Sequence, residues 1–363
     1  MTRAIVLAGV LGVISGAIYL LENQRAGVLP VIQSVSVADG TATKKAQLEP
    51  AQELVAIDGY INTNPFTIQN LIGEKIILLD FWTYSCINCQ RTIPYLRAWH
   101  EKYASDGLVI IGVHTPEFAF EKKMENVQRA VDQFGIQYPV VLDNNYGTWQ
   151  AYGNRYWPRK YLIDIDGYVV YDHIGEGEYN QTEQAIQRAL QERADRLGIA
   201  SLFDTRLSTP TSTESVVRGN PYSPEVYFGA SRNTLLSNGI AGKLGAQDFV
   251  RPVLTATNRL YLVGKWQLFA EYAQAEVGAS FVFPYQAQKV FMVARADSPV
   301  RAKILLDGKP ITRSFAGENV ADGVVILQPD QLYRIIADDT WSEHTLEVIF
   351  LDPGAQIFTL TFG

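Results

Sequence analysis

An α/β domain followed by an all-β sandwich domain, held behind a single N-terminal transmembrane helix, is the architecture predicted by three features of this 363-residue chain. Strand and helix patterns alternate over residues 57–198. Short β-rich runs and turn signals replace them over residues 224–363, with no amphipathic helix, as in sandwiches and jelly rolls. An apolar stretch without a charge opens the chain.

Taken in order, Ala4 to Leu21 is about 27 Å long as a helix, close to a hydrocarbon core of about 30 Å. Arg3 precedes it, so residues 1–21 are expected to be a signal-anchor with Arg3 on the cytoplasmic side and the other domains outside. Cleavage near Ser15 and Ala17 is the alternative. Residues 22–56 are weakly patterned and read as a stalk. Ile76 to Trp82 is a nearly continuous apolar strand, fit for a sheet covered on both faces. A helix is expected from Cys86, with Ile93, Leu96, Trp99 and Tyr103 at helical spacing and a kink at Pro94. Leu108 to Val113 reads as a second buried strand. Met124, Val127, Val131 and Phe134 mark another helix face, and Tyr138 to Leu142 a short strand. Tyr161–Asp164 and Tyr168–Tyr171 flank a hairpin turn. A last helix carries a capping-box pattern at Asn180 and Glu183 and ends near Gly198. Residues 199–223, rich in Ser, Thr and Pro, read as a linker. That linker implies that a fragment of about residues 50–200 folds by itself.

Composition narrows the function. Hydrophobic residues make up 47% of the chain and charged residues 19%, which argues against wholesale disorder. A net charge of −7 without a long basic run disfavours nucleic acid as a partner. There are two cysteines, Cys86 and Cys89. A disulfide between them closes almost no loop and removes little unfolded-state entropy, so the pair points to reactivity. At a strand-to-helix junction the partial positive charge of the helix end favours the nucleophilic thiolate. Cys86, nearer the terminus, is expected to attack, and Cys89, one turn in, to resolve the mixed disulfide. Half a zinc site is the competing reading, but no second Cys pair exists and the four histidines are scattered, so no metal is expected. No cofactor is expected beyond the Cys86–Cys89 disulfide.

Asp80 lies inside the apolar strand, six residues before Cys86. Burial raises a carboxyl pKa toward neutrality, which suits it to accept the Cys89 proton. An Asp at a frayed strand end is the alternative. Trp157-Pro158 precedes a strand, where an X-Pro bond is either cis, turning backbone groups toward the sulfurs, or trans. Trp82 and Glu117 are candidate substrate contacts, and Glu117 and His114 either border the site or lie in a solvated loop. Among the tail aromatics, Trp266 and Trp341 are candidates for stacking on sugars, although such residues more often fill a sandwich core.

The segment DFWTYSCINCQRTIP resembles thioredoxins in its Asp-Phe-Trp, its C-x-x-C and its helix proline. FWTYSCINC, IGVHTPEFAFE, YGNRYWPRKYLID and GEGEYNQ, followed by PEVYFGASR and FLDPGAQIFTLTFG, are similar to the exported part of DipZ-type thiol–disulfide carriers, within the TlpA-like redoxins. This resemblance implies a thioredoxin-like domain with Cys86 and Cys89 as the redox pair, Asp80 as the buried acid and Pro158 as a cis-proline. It implies a carbohydrate-binding-like jelly roll after Pro224, and protein substrates such as an apocytochrome c. DipZ-type chains often include a multi-helix electron-conducting membrane domain. With one apolar span, this chain is expected to exchange electrons through a separate membrane electron-transfer protein.

The leading expectation is a membrane-tethered thiol–disulfide oxidoreductase acting on exported proteins outside the cytoplasm. A glycan- or envelope-binding protein with an accessory redox domain is a second reading. A thiol peroxidase, suggested only by the shared fold and weakened by the placing of Thr83 and Ser85 ahead of Cys86, is a third.

Overall fold

The computed structural model describes residues 44–363 apart from 45, 201–202, 212–213 and 215–221. The expected membrane span lies outside the described residues, among which no helix is long and apolar enough to cross a membrane.

The first domain is an α/β domain built on one mixed sheet. Its strands are β1 (Gly59–Ile61), β2 (Ile76–Trp82), β3 (Leu108–His114), β4 (Val140–Leu142), β5 (Arg159–Ile163) and β6 (Val169–Ile174). They lie in the order β1-β4-β3-β2-β5-β6. The centre, β2, β3 and β4, is parallel, and β5 joins β2 antiparallel. All seven residues of β2 are buried, as a strand with helices on both faces requires. Four helices cover the sheet: α1 (Ile87–Tyr103), α2 (Met124–Phe134), α3 (Gly147–Ala151) and α4 (Tyr179–Leu197). Helix α1 runs through Pro94 and buries Ile93, Leu96, Trp99 and Tyr103. Helix α2 stops at Gly135, whose φ of 63° is left-handed and natural for glycine. On β3, Gly112 stands opposite Asp80. A Cβ there would come within 2.9 Å of the Trp82 indole nitrogen, so glycine lets that ring lie under the site.

One local expectation fails. Helix α4 starts after Glu178, which is left-handed and makes no side-chain cap, so the Asn180–Glu183 capping box does not form. Glu183 instead accepts bonds from Tyr103, Lys102 and Ser208, tying α4 to α1 and to the connecting segment. Tertiary partners there outcompete the local cap.

The second domain is a β-rich antiparallel sheet. Its strands are β7 (Val226–Tyr227), β8 (Gly245–Phe249), β9 (Tyr261–Leu268), β10 (Ala273–Ala275), β11 (Ser280–Arg295), β12 (Val300–Leu306), β13 (Lys309–Pro310), β14 (Val320–Ala321), β15 (Val324–Leu327), β16 (Gln331–Phe350) and β17 (Ala355–Phe362), of which β11 and β16 are the longest. Strand β9 pairs with β10, β10 with β17, β17 with β11, and β11 back with β9, so the pairing closes on itself. Closure hides strand edges that would otherwise recruit other chains. One apolar core fills the interior, including Trp266, Phe281 and Phe350.

The linker in sequence is not a gap in space. A second apolar cluster includes Cys89, Phe118 and Phe120 from the first domain with Phe291, Leu332 and Phe358 from the second. The Phe358 ring lies 5.0 Å from Phe118 and 4.7 Å from Phe120. Asn126 donates to Asp330 at 2.8 Å, and Arg91 lies over the Phe291 ring at 5.6 Å. Truncating a buried Phe to Ala costs about 3–5 kcal/mol. Phe358→Ala is therefore expected to lower stability by about that amount and to split one cooperative denaturant transition into two. Parallel unfolding curves from near- and far-ultraviolet circular dichroism check this.

Candidate active site

Cys86 is the N-cap of α1, and the Cys89 backbone N–H donates to its sulfur at 3.4 Å. Cys86 is half-buried and Cys89 fully buried. Burial, followed by the neighbouring Cys86 sulfur, pushes the Cys89 thiol well up. A sulfur that accepts a backbone hydrogen bond at a helix terminus suits attack. A protonated thiol one turn deeper suits resolution once a base takes its proton.

A buried carboxyl stands nearby. Asp80 is 2% exposed, and burial raises its carboxyl to about 7, with Lys160 pulling it back down. It is close enough to act electrostatically on Cys89. Lys160, on β5, is wholly buried, with its ammonium 3.9 Å from Asp80 Oδ1. Neither of these two atoms makes a hydrogen bond to another described residue. Burial lowers the Lys160 pKa, and the Asp80 charge opposes that shift. The pair is thus desolvated, and burial disfavours the charged form of each member. Lys160 escaped the sequence reading because a lysine in a strand reads as a solvated edge residue. Only the antiparallel register, which sets it opposite Asp80, shows otherwise.

A second buried carboxyl was also missed. Glu121 accepts the Ser85 hydroxyl at 2.5 Å and the backbone N–H groups of Glu117 and Phe118 at 2.6 and 3.0 Å. Burial raises it to about 7. It holds the loop after β3 against the residue preceding Cys86. The signal was a Glu three residues after Phe118, at the start of the short 3₁₀ turn Ala119–Lys122.

That loop presents Glu117 to the β-rich domain. Glu117 pairs with Arg232 at 2.7 Å and accepts from the Tyr227 hydroxyl at 2.9 Å. The same hydroxyl lies 2.6 Å from Glu225, and the Arg232 guanidinium covers the Tyr227 ring at 3.7 Å. Burial, then the Glu117 charge, raises Glu225 to about 7. A hydroxyl has one hydrogen to give, so when both carboxyls bond it one accepts that hydrogen and the other is protonated and donates to the hydroxyl oxygen.

The other candidates divide. The Trp157–Pro158 peptide is cis. The Trp157 indole donates to Thr115 O at 3.0 Å, and its ring borders Cys86 in one cleft with Glu117. Trp82 is 1% exposed, edge-on to the His114 ring, so it supports the site from below and is not a substrate contact. His114 is buried, stacked on Tyr84 and held near 3 by desolvation, so it stays neutral. Trp266 is 1% exposed and packs edge-on to Phe350 at 5.5 Å; it is core and offers no face to a sugar. Trp341 is half-buried on β16 and does not line the cleft. Alternation along a strand does not reveal which face a second layer covers. Among the described residues one acidic group has ligand spacing, Asp164, Asp166 and Glu192, and the Lys44 ammonium sits among them.

A half-buried cysteine capping α1, a buried cysteine behind it and a buried acid beneath, on this sheet, define a thioredoxin-fold dithiol protein. Residues 49–190 match the Redoxin family, and residues 223–363 match the family described as Thioredoxin like C-terminal domain. Thiol-disulfide oxidoreductase ResA of Halalkalibacterium halodurans is 30% identical over 135 residues, 35% of this chain and 72% of that protein. The chain belongs to the thiol–disulfide oxidoreductases. It is a homologue of Protein DipZ of Mycobacterium tuberculosis, at 37% identity over 325 residues, 88% of this chain. It matches 44% of that relative's length. A thioredoxin-like protein solved in its oxidized form is 26% identical, covering 40% of this chain and 97% of its own, with a TM-score of 0.37.

Proposed function

We propose that the chain exchanges disulfides with exported proteins outside the cytoplasmic membrane, tethered there by residues 1–21. The observation that carries the chemistry is the half-buried Cys86 sulfur, which accepts the Cys89 backbone N–H, beside the buried Asp80–Lys160 pair. In the reducing direction the Cys86 thiolate attacks a substrate disulfide. A Cys86–substrate bond forms, the substrate S–S breaks, and one substrate sulfur leaves as thiolate. Asp80 then takes the Cys89 proton, and Cys89 attacks Cys86. The second substrate thiolate leaves, and two electrons have passed to the substrate. The reverse sequence oxidises a dithiol. Either direction needs a second redox partner to reset the Cys86–Cys89 pair, and a membrane electron-transfer protein meets that need.

The location rests on the uncharged stretch from Ala4 to Leu21 behind Arg3. The β-rich domain reads as a jelly-roll sandwich, supported by its closed pairing and single core. The peroxidase reading finds no support in the hydroxyls ahead of Cys86. Thr83 faces His114 at 3.5 Å, and Ser85 is bonded to Glu121.

Insulin reduction beside peroxide consumption tests the reading. Turnover of insulin disulfides without peroxide loss is expected; the opposite result overturns it. The potential of the couple then gives direction, about −270 mV marking a reductant and about −120 mV an oxidant. Protease added to spheroplasts is expected to remove the redoxin domain.

A further inference from the structure

Cys86 does not open onto a free surface. It lies in a cleft of about 370 Å³ built by both domains. One wall is Asn88, Glu117, Tyr156 and Trp157; the other is Tyr227, Arg232, Thr361 and Phe362 of the β-rich domain. That volume is at the low end of small-molecule pockets, roughly 300–1,000 Å³. The second wall is anchored. Strand β17 carries Thr361 and Phe362, is paired on both sides, and places Phe358 in the apolar cluster shared by the domains. The chain end is held too: the Gly363 N–H donates to Lys289 O, and Gly363 O accepts from Gln288 and Lys289. Glu117 bridges the walls through Arg232 and Tyr227.

Disulfide exchange requires the attacked sulfur to reach Cys86 itself. Neighbouring strands lie about 4.8 Å apart and stacked sheets about 10 Å apart, so an extended segment can enter a slot between two walls. Tyr227, Arg232 and Phe362 stand in the same cleft as Cys86, where they oppose the approach of a folded face. We propose that the β-rich domain is the substrate gate of the thiol site, admitting a cysteine carried on an extended, unfolded polypeptide segment and excluding one fixed in a folded surface. This rests on the exchange reading above and names its substrate class.

The full chain, reduced with dithiothreitol and then freed of it, is given three probes in stoichiometric amount: dithiodinitrobenzoate, an unstructured disulfide peptide, and that peptide fused to a folded carrier on tethers of increasing length. Peptide and small disulfide are expected to turn over. The carrier-borne disulfide is expected to slow by about tenfold or more as the tether shortens to nothing, within the decades over which association responds to an interface. In Tyr227→Ala/Arg232→Ala the ratio of tetherless to free-peptide rate is expected to rise. If that variant melts below the assay temperature, the tether series in the unaltered chain decides. Equal rates at every tether length overturn the gate alone. No turnover of dithiodinitrobenzoate overturns the exchange reading, and the gate with it.

Discussion

Cys86→Ser is expected to abolish disulfide reduction, while Cys89→Ser retains attack and accumulates mixed disulfides. The cause is geometric. Cys86 caps α1 at the cleft, and Cys89 is buried one turn behind it. With Cys89 replaced, the Cys86–substrate bond has no internal thiolate to release it. Non-reducing electrophoresis of the two variants after incubation with an oxidised peptide reads the difference. Turnover should fall to background in both, since resolution is as necessary as attack. Trapping in Cys86→Ser and none in Cys89→Ser would reverse the assignment.

The second large effect belongs to the Asp80–Lys160 pair. Asp80 ionises at about 7, so it can accept the Cys89 proton only as pH rises through that value. Resolution is expected to be slow below neutrality and fast above it. Asp80→Asn should slow it by about 100-fold, the low end of general-base contributions, and erase the inflexion near 7. Lys160→Met should act differently. Its ammonium pulls the Asp80 value down. Without it the inflexion moves to higher pH, by about one unit or more, and the rate at neutral pH drops by about tenfold. A merely structural lysine would lower the amount of folded protein without moving the inflexion. Single-turnover reduction of a peptide disulfide across the pH range separates the two.

Stability carries the same signature. Asp80 holds its proton in the native state well above its ordinary value of 3.8. Between that value and about 7 the native state binds a proton that the unfolded chain has released, so stability falls as pH rises through the window. Asp80→Asn removes this slope. Glu121, raised for the same reason, contributes a slope of equal sign. The difference between variant and unaltered chain in urea melts at acid and alkaline pH is therefore the readout.

The chemistry of this protein was legible wherever it is written in adjacent residues. Cys86 and Cys89 three apart after the apolar run Ile76–Trp82 define a dithiol at a strand-to-helix junction. Asp80 within that run announces a buried acid. These are local signals, because a strand's burial and a helix's start depend on a few consecutive side chains. What only the tertiary structure decided lies across long separations. Lys160 meets Asp80 through an antiparallel register, eighty positions along the chain. Glu121 reaches Ser85 through the loop after β3. Trp266, a candidate sugar platform in the sequence, becomes core because a second stretch of sheet covers its face. The wall of the cleft comes from Tyr227, Arg232 and Phe362, beyond a polar connecting segment that reads as a boundary. Hydrophobic pattern states which residues seek burial, but it does not name the partner, and here Phe118 and Phe120 find theirs in Phe358 of the other domain. Sequence therefore determined the reactive pair and the element that carries it, while packing between the domains decided how the pair is approached.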